Sequence, residues 1–196
     1  MTQVWRDWGD VLTATAVGLP MVALLVAVLA GLRRDAPTRR AAWWRSVAEV
    51  GAVAGTLPWV WMILTPRDAP RELDLVPLRD LAGLLTGAPA AVVVQVVGNL
   101  LVFAALGFFA PVRVPALAGA GRLFLLGAAG SVLVESAQYA LDLGRVTSVD
   151  DVLLNAAGAA LAGLLSRPWW ATRRTVPARA TVPAGCERPT GNHAST

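Results

Sequence analysis

The chain has 196 residues, 56% hydrophobic and 15% charged, with a mean hydropathy of +0.57. A soluble domain carries roughly a quarter of its residues as charges, so this composition points to lipid as the main solvent. The formal charge is +4 and every basic residue is arginine, but the arginines lie in short clusters between apolar runs. That is the pattern of membrane topology signals, and it argues against a nucleic-acid partner.

Five apolar segments follow one another: 11–32, 41–64, 91–110, 123–141 and 152–165. A membrane-crossing helix needs roughly 20 residues to cover about 30 Å of hydrocarbon. The first four segments meet or approach this; the fifth has 14 residues, so its helix must extend into polar flanks. Segment one is read as a retained span, since its strong basic cluster RRDAPTRR follows the apolar run and no A-x-A site is well placed after it. Tryptophans flank the spans at 5, 8, 43, 44, 59, 61, 169 and 170, as interfacial belts require. The connection 65–90 contains LVPLRDLAGLLTG, 75–87, readable either as a helix lying in the interface or as a loop with a hydrophobic turn.

If the N-terminus is outside, the inner segments hold eleven arginines and the outer ones five, which favours N-out and C-in. The expected fold is therefore all-α: a multi-spanning membrane helix bundle of about five transmembrane helices. Residues 1–40 form the first span and its basic inner loop, 41–166 a helical membrane domain, and 167–196 a disordered cytoplasmic tail rich in Pro, Thr, Arg and Gly.

Polar residues are few, and their depth is informative. With this topology Asn99 in the third segment, Glu135 and Gln138 in the fourth, and Asp150, Asp151 and Asn155 at the start of the fifth all lie toward the outer side. Arg145 sits in the loop above them. Glu135 and Gln138 are spaced i,i+3, and Asp151 and Asn155 i,i+4, so each pair shares a helix face. Such faces avoid lipid by turning toward one another, which predicts one outward-open pocket. Capping competes for the aspartates, because Ser148-x-x-Asp151 has the spacing of a capping box. Interhelical hydrogen bonding competes for Asn99, Gln138 and Asn155. Gly51 and Gly55 form a GxxxG face, and Arg45 and Glu49 have the spacing of a local ion pair.

The single cysteine, Cys186, and the single histidine, His193, both lie in the tail. They leave no room for an intrachain disulfide, a Cys/His zinc site, a Ser-His-Asp triad or an HExxH site. No P-loop or GxGxxG occurs. Any chemistry here must come from carboxylates or from a hard cation. Glu135 is the candidate general acid or base. Asp150, Asp151 and Asn155 are the candidate oxygen ligands for Mg²⁺ or Ca²⁺.

NLLVFAALGFFAP (99–111), ESAQ (135–138) and RVTSVDDVLLNAAGA (145–159) resemble the VanZ-like family of bacterial integral membrane proteins. That family's pattern is an Asn-led N-L-L-x-F-x-P-L-G-F stretch, then E-x-x-Q, then R-x-x-x-x-D-D-x-x-x-N-x-x-G. It falls here on Asn99, Glu135, Gln138, Arg145, Asp150, Asp151, Asn155 and Gly158, with Ala105 in place of a frequent proline. The resemblance spans about residues 45–166. It implies a multi-pass protein of the bacterial cytoplasmic membrane, in a family whose namesake is associated with resistance to the glycopeptide teicoplanin. Three functions follow as expectations. One is an envelope protein binding a lipid-linked or glycopeptide ligand at Asn99, Glu135, Gln138, Arg145, Asp150, Asp151 and Asn155. Another is an integral-membrane enzyme acting on a lipid headgroup. The third is a transporter or flippase, which the absence of an inverted repeat weakens.

Overall fold

The computed structural model describes residues 2–66, 72–85 and 89–171. In chain order the elements are α1 (Thr2–Leu32), α2 (Arg39–Ile63), β1 (Glu72–Asp74), α3 (Arg79–Leu85), α4 (Pro89–Val102), α5 (Ala104–Arg113), a 3₁₀ turn (Pro115–Leu117), α6 (Ala120–Ala140), β2 (Val146–Ser148), α7 (Val149–Leu165) and α8 (Arg167–Ala171). Three stretches are long and apolar enough to cross a membrane: α2, Val92–Arg113 across α4 and α5, and α6; Ala16–Leu32 is a shorter apolar helix. The 14-residue fifth segment becomes a helix of 17 by extending back through Asp151 and Asp150. Trp43, Trp44, Trp61 and Trp169 are exposed, as belt residues are. The side chains of Trp5 and Trp8 lie outside the described set, as do Cys186, His193 and the tail beyond 171.

Helix α7 is the hub. It packs on α4, α5 and α6, and its composition explains why three neighbours can approach it. Asn155, Ala156, Gly158, Ala159 and Gly163 form its buried face, and small residues let helix backbones come close where lipid offers no hydrophobic drive. A Cβ on Gly158 would strike the Leu100 carbonyl of α4; one on Gly107 of α5 would strike the Ala159 carbonyl. From α6, Gly127 sits against Ala156 and Ala159. The GxxxG pair acts in the same way on α2, where Gly51 faces the Phe109 ring and Gly55 faces Ala105.

The third apolar segment does not run straight. Phe103 departs from helical geometry (φ −109°, ψ 12°), so α4 ends at Val102 and α5 begins at Ala104. The break precedes Ala105, the position where the family pattern often has proline. Buried Phe103 lies against Gly130 of α6, which has no side chain to block the ring. Its consequence concerns α2: both α4 and α5 pack against α7, but α5 also packs against α2, which α4 meets only sparsely.

Three local features refine or correct the expectations. β1 and β2 pair in parallel, with Glu72, Leu73 and Asp74 opposite Val146, Thr147 and Ser148, so the bundle is not purely helical. Two irregular connections satisfy each other's backbone groups in this way. Of the two readings of 75–87, the helix is the one found, at Arg79–Leu85; 86 and 87 lie outside the described residues. Glu49 pairs with Arg33 and Arg113, not with Arg45, whose ion-pair partner is Asp35 at 3.8 Å. The tertiary pairs tie the α1–α2 connection to the end of α5, which an i,i+4 pair on one helix cannot do.

Gly158→Val is expected to cost about 2 kcal/mol or more by overpacking the α4–α7 contact. Gly121→Ala, with nothing within 4 Å of the added Cβ, is expected to be neutral. Thermal unfolding in detergent compares the two.

Candidate functional site

At the bundle end where α2 and α6 finish and α4 and α7 begin, side chains from several elements line a cleft of about 1120 Å³. Six of the seven sequence candidates are on its wall: Asn99, Glu135, Gln138, Arg145, Asp151 and Asn155. Helical spacing explains their convergence. Glu135 and Gln138 are both buried on the inner face of α6, and Asn155 lies one turn below Asp151 on α7. The seventh, Asp150, turns elsewhere.

Asp151 is held from α4. Its Oδ1 accepts from Asn99 Nδ2 at 2.6 Å and from Gln95 Nε2 at 2.9 Å. Asn155 reaches α6, donating from Nδ2 to Ser131 Oγ at 2.8 Å. Glu135 lies near Thr147, the Ser148 amide, Asp151 and Arg145. Its Oε2 and the Oδ1 of Asn155 are buried acceptors with no hydrogen-bond partner among the described residues.

The end of α2 explains two more residues of the motif. The last carbonyls of a helix have no intrahelical donor, and leaving them bare in apolar surroundings is costly. Gln138 Nε2 donates to the Ile63 carbonyl at 2.9 Å. Arg145 donates from Nη2 to the Met62 carbonyl at 2.9 Å and from Nε to the Thr65 carbonyl at 3.3 Å. The guanidinium also suits the negative end of the α2 dipole. Both side chains thus complete α2 while lining the cleft.

Capping accounts for Asp150, though on a neighbouring helix. Ser148 caps α7, accepting from the Asp150 amide at 3.2 Å. The Asp150 carboxylate instead accepts from the backbone N–H groups of Leu78 and Leu81 at the start of α3. Leu78 has a φ of 65°, a left-handed conformation unusual for leucine, and the carboxylate holds its amide. The candidate cation ligands are therefore divided: Asp150 faces α3, Asp151 faces α4 and Asn155 faces α6. Among the described residues no group of three or more His, Cys, Asp or Glu is placed to hold a metal ion.

Sequence reasoning missed Gln95, Ser131 and Arg79. Gln95 carried a usable signal, since it stands i−4 to Asn99 on the same face of α4. Ser131 accepts from Asn155 across the α6–α7 contact. Arg79, which lines the cleft and pairs with Asp74 at 3.7 Å, stands in a connection whose path hydropathy does not define.

Long apolar helices, small-residue contacts around α7 and polar side chains turned inward define an integral membrane helix bundle. Its family follows from a direct match: the VanZ/LLP1 family model covers residues 52–170, and the chain belongs to that family as a VanZ-like membrane protein. No curated protein and no solved structure matches the chain.

Asp150→Ala removes the acceptor for two α3 amides. A hydrogen bond to a charged group contributes roughly 1.5–3 kcal/mol, so amide exchange at Leu78 and Leu81 is expected to quicken about tenfold or more. Asp151→Ala is expected to leave those two amides near their wild-type rates in the same hydrogen-exchange measurement.

Proposed function

We propose that this chain is a bacterial envelope membrane protein that binds a ligand without transforming it, in a cleft facing the outside of the cell. The ligand class is lipid-linked or glycopeptide, and the association of the family's namesake with teicoplanin resistance is what supports a role in glycopeptide resistance. The observation carrying the reading is the meeting of Asn99, Glu135, Gln138, Arg145, Asp151 and Asn155 at one end of the bundle. The arginine distribution supports placing that end outside, with the N-terminus out and α8 in. In this reading Arg145 attracts a phosphate or carboxylate, the amides orient the ligand, and the carboxylates meet a cationic group.

One observation favours a second reading. Glu135 is buried beside Thr147 and Asp151 and has an unpartnered oxygen, a suitable place for a general acid or base acting on a lipid headgroup. Turnover that requires Glu135 and Mg²⁺ or Ca²⁺, lost in Glu135→Gln while binding persists, would establish the enzyme instead.

Two measurements check the first reading. In a Cys186→Ser background, Asp142→Cys is expected to react with a membrane-impermeant maleimide in intact cells; labelling only after lysis would reverse the topology. Teicoplanin binding to purified protein is expected to weaken about tenfold, ~1.4 kcal/mol, in Asn99→Ala. Unchanged binding would remove the cleft from recognition.

A further inference from the structure

The cleft is not a closed polar chamber. The helix breaks between α4 and α5 at Phe103, α4 meets α2 only sparsely, and the cleft wall includes residues of both. That part of the wall is apolar: Trp59 and Met62 from α2, and Val94, Val97 and Leu101 from α4. Met62, Val94, Val97 and Leu101 are all substantially exposed, from 41% to 73%. They stand on helices long and apolar enough to span a bilayer, so the groove faces acyl chains rather than water.

The polar end has a particular balance of donors and acceptors. Gln95 and Asn99 direct their amide nitrogens to Asp151, and Gln138 directs its own to Ile63. Deeper in, Glu135, which has Thr147 and the Ser148 amide beside it, keeps Oε2 as a buried acceptor, and Asn155 keeps Oδ1; neither atom has a hydrogen-bond partner among the described residues. Buried acceptors require hydrogen-bond donors. Charge is balanced along the lining, with Glu135 and Asp151 against Arg79 and Arg145. Depth varies along the lining: Glu135 is 7% exposed and the Arg79 side chain 69%, with Asp151 and Arg145 half-buried between them. A purely anionic headgroup would meet the carboxylates, and a purely cationic one the guanidinium groups. A headgroup carrying both a phosphate and a primary ammonium matches both signs, and the ammonium brings three hydrogen-bond donors. A trimethylated ammonium brings none.

We infer that the groove between α2 and α4 is a lateral entry for one zwitterionic phospholipid with a phosphate and a primary ammonium. Its acyl chain lies along Met62, Val94, Val97 and Leu101, and its headgroup turns into the polar cleft. The ammonium is directed to Glu135 and Asn155, and the phosphate toward the arginines. This deepens the ligand-binding reading above and rests on it.

The test uses the full chain reconstituted in bilayers of equimolar phosphatidylethanolamine, phosphatidylcholine and phosphatidylglycerol. The protein is extracted in mild detergent and the co-purified lipid is measured by mass spectrometry. Wild type is expected to retain about one phosphatidylethanolamine per chain, enriched at least fivefold over each of the other two lipids. Val97→Trp, which fills the groove, is expected to abolish the enrichment, as is Val94→Trp. Glu135→Gln is expected to reduce it. Leu133→Trp, on the exposed face of α6 away from the cleft, is expected to preserve it and controls for the added indole. Equal retention of the three lipids by wild type, or full enrichment in both groove-filling variants, overturns the inference. Binding of water-soluble glycerophosphoethanolamine separates the two levels. If it binds wild type and Val97→Trp alike while no lipid is retained, lateral entry fails and the polar cleft stands as a ligand site. If neither probe binds, both fail.

Discussion

A helix that begins with two aspartates and carries an asparagine one turn later cannot lie against lipid on those faces, and the bundle is arranged to give each a partner. Asp150 reaches the amides of α3, Asp151 the amides of α4, and Asn155 the hydroxyl of Ser131 on α6. Three different neighbours are therefore specified by the first two turns of α7. Below them α7 becomes a row of small residues, and there α4, α5 and α6 approach closely at Gly158, Ala159 and Gly163. The polar half selects which helices meet, and the small half lets them pack. Neither suffices alone, since small-residue contacts fix no rotation and interhelical hydrogen bonds in membranes are each modest, on average about 0.6 kcal/mol.

The same constraint shapes the other side of the cleft. The open carbonyls at the end of α2 are met by Gln138 from α6 and Arg145 from the connection before β2. Residues of the family motif are thus structural and site-lining at once, and the site lies where several helices end. A cleft lies there because the α4–α5 segment packs on α7 along both halves but meets α2 extensively only after Phe103. Had the segment continued as one straight helix against α2, the apolar groove and the polar end would have been separated.

The sequence made much of this legible through period and depth. Apolar run lengths and tryptophan positions located the helices, and the i,i+3 and i,i+4 spacings placed Glu135 with Gln138 and Asp151 with Asn155. Convergence then followed from the cost of exposing such faces to hydrocarbon. What was hidden depended on groups that side-chain patterns do not register. The capping of α2 concerns backbone carbonyls. The β1–β2 pairing joins two connections 74 positions apart in register (72 with 146). Glu49 had a plausible partner four residues away, yet it pairs with Arg33 and Arg113 because the fold brings both nearer. The aspartates were expected to cap their own helix, whereas Asp150 meets the amides of α3, a segment whose course was open.

The central claim is that polar side chains from separate apolar helices are coupled to one another rather than to solvent, and the Asn99–Asp151 pair tests it most directly. A double-mutant cycle of Asn99→Ala and Asp151→Ala, followed by reversible unfolding in detergent micelles, is predicted to give a coupling of about 0.5–2 kcal/mol. Additive effects of the two substitutions would contradict the account.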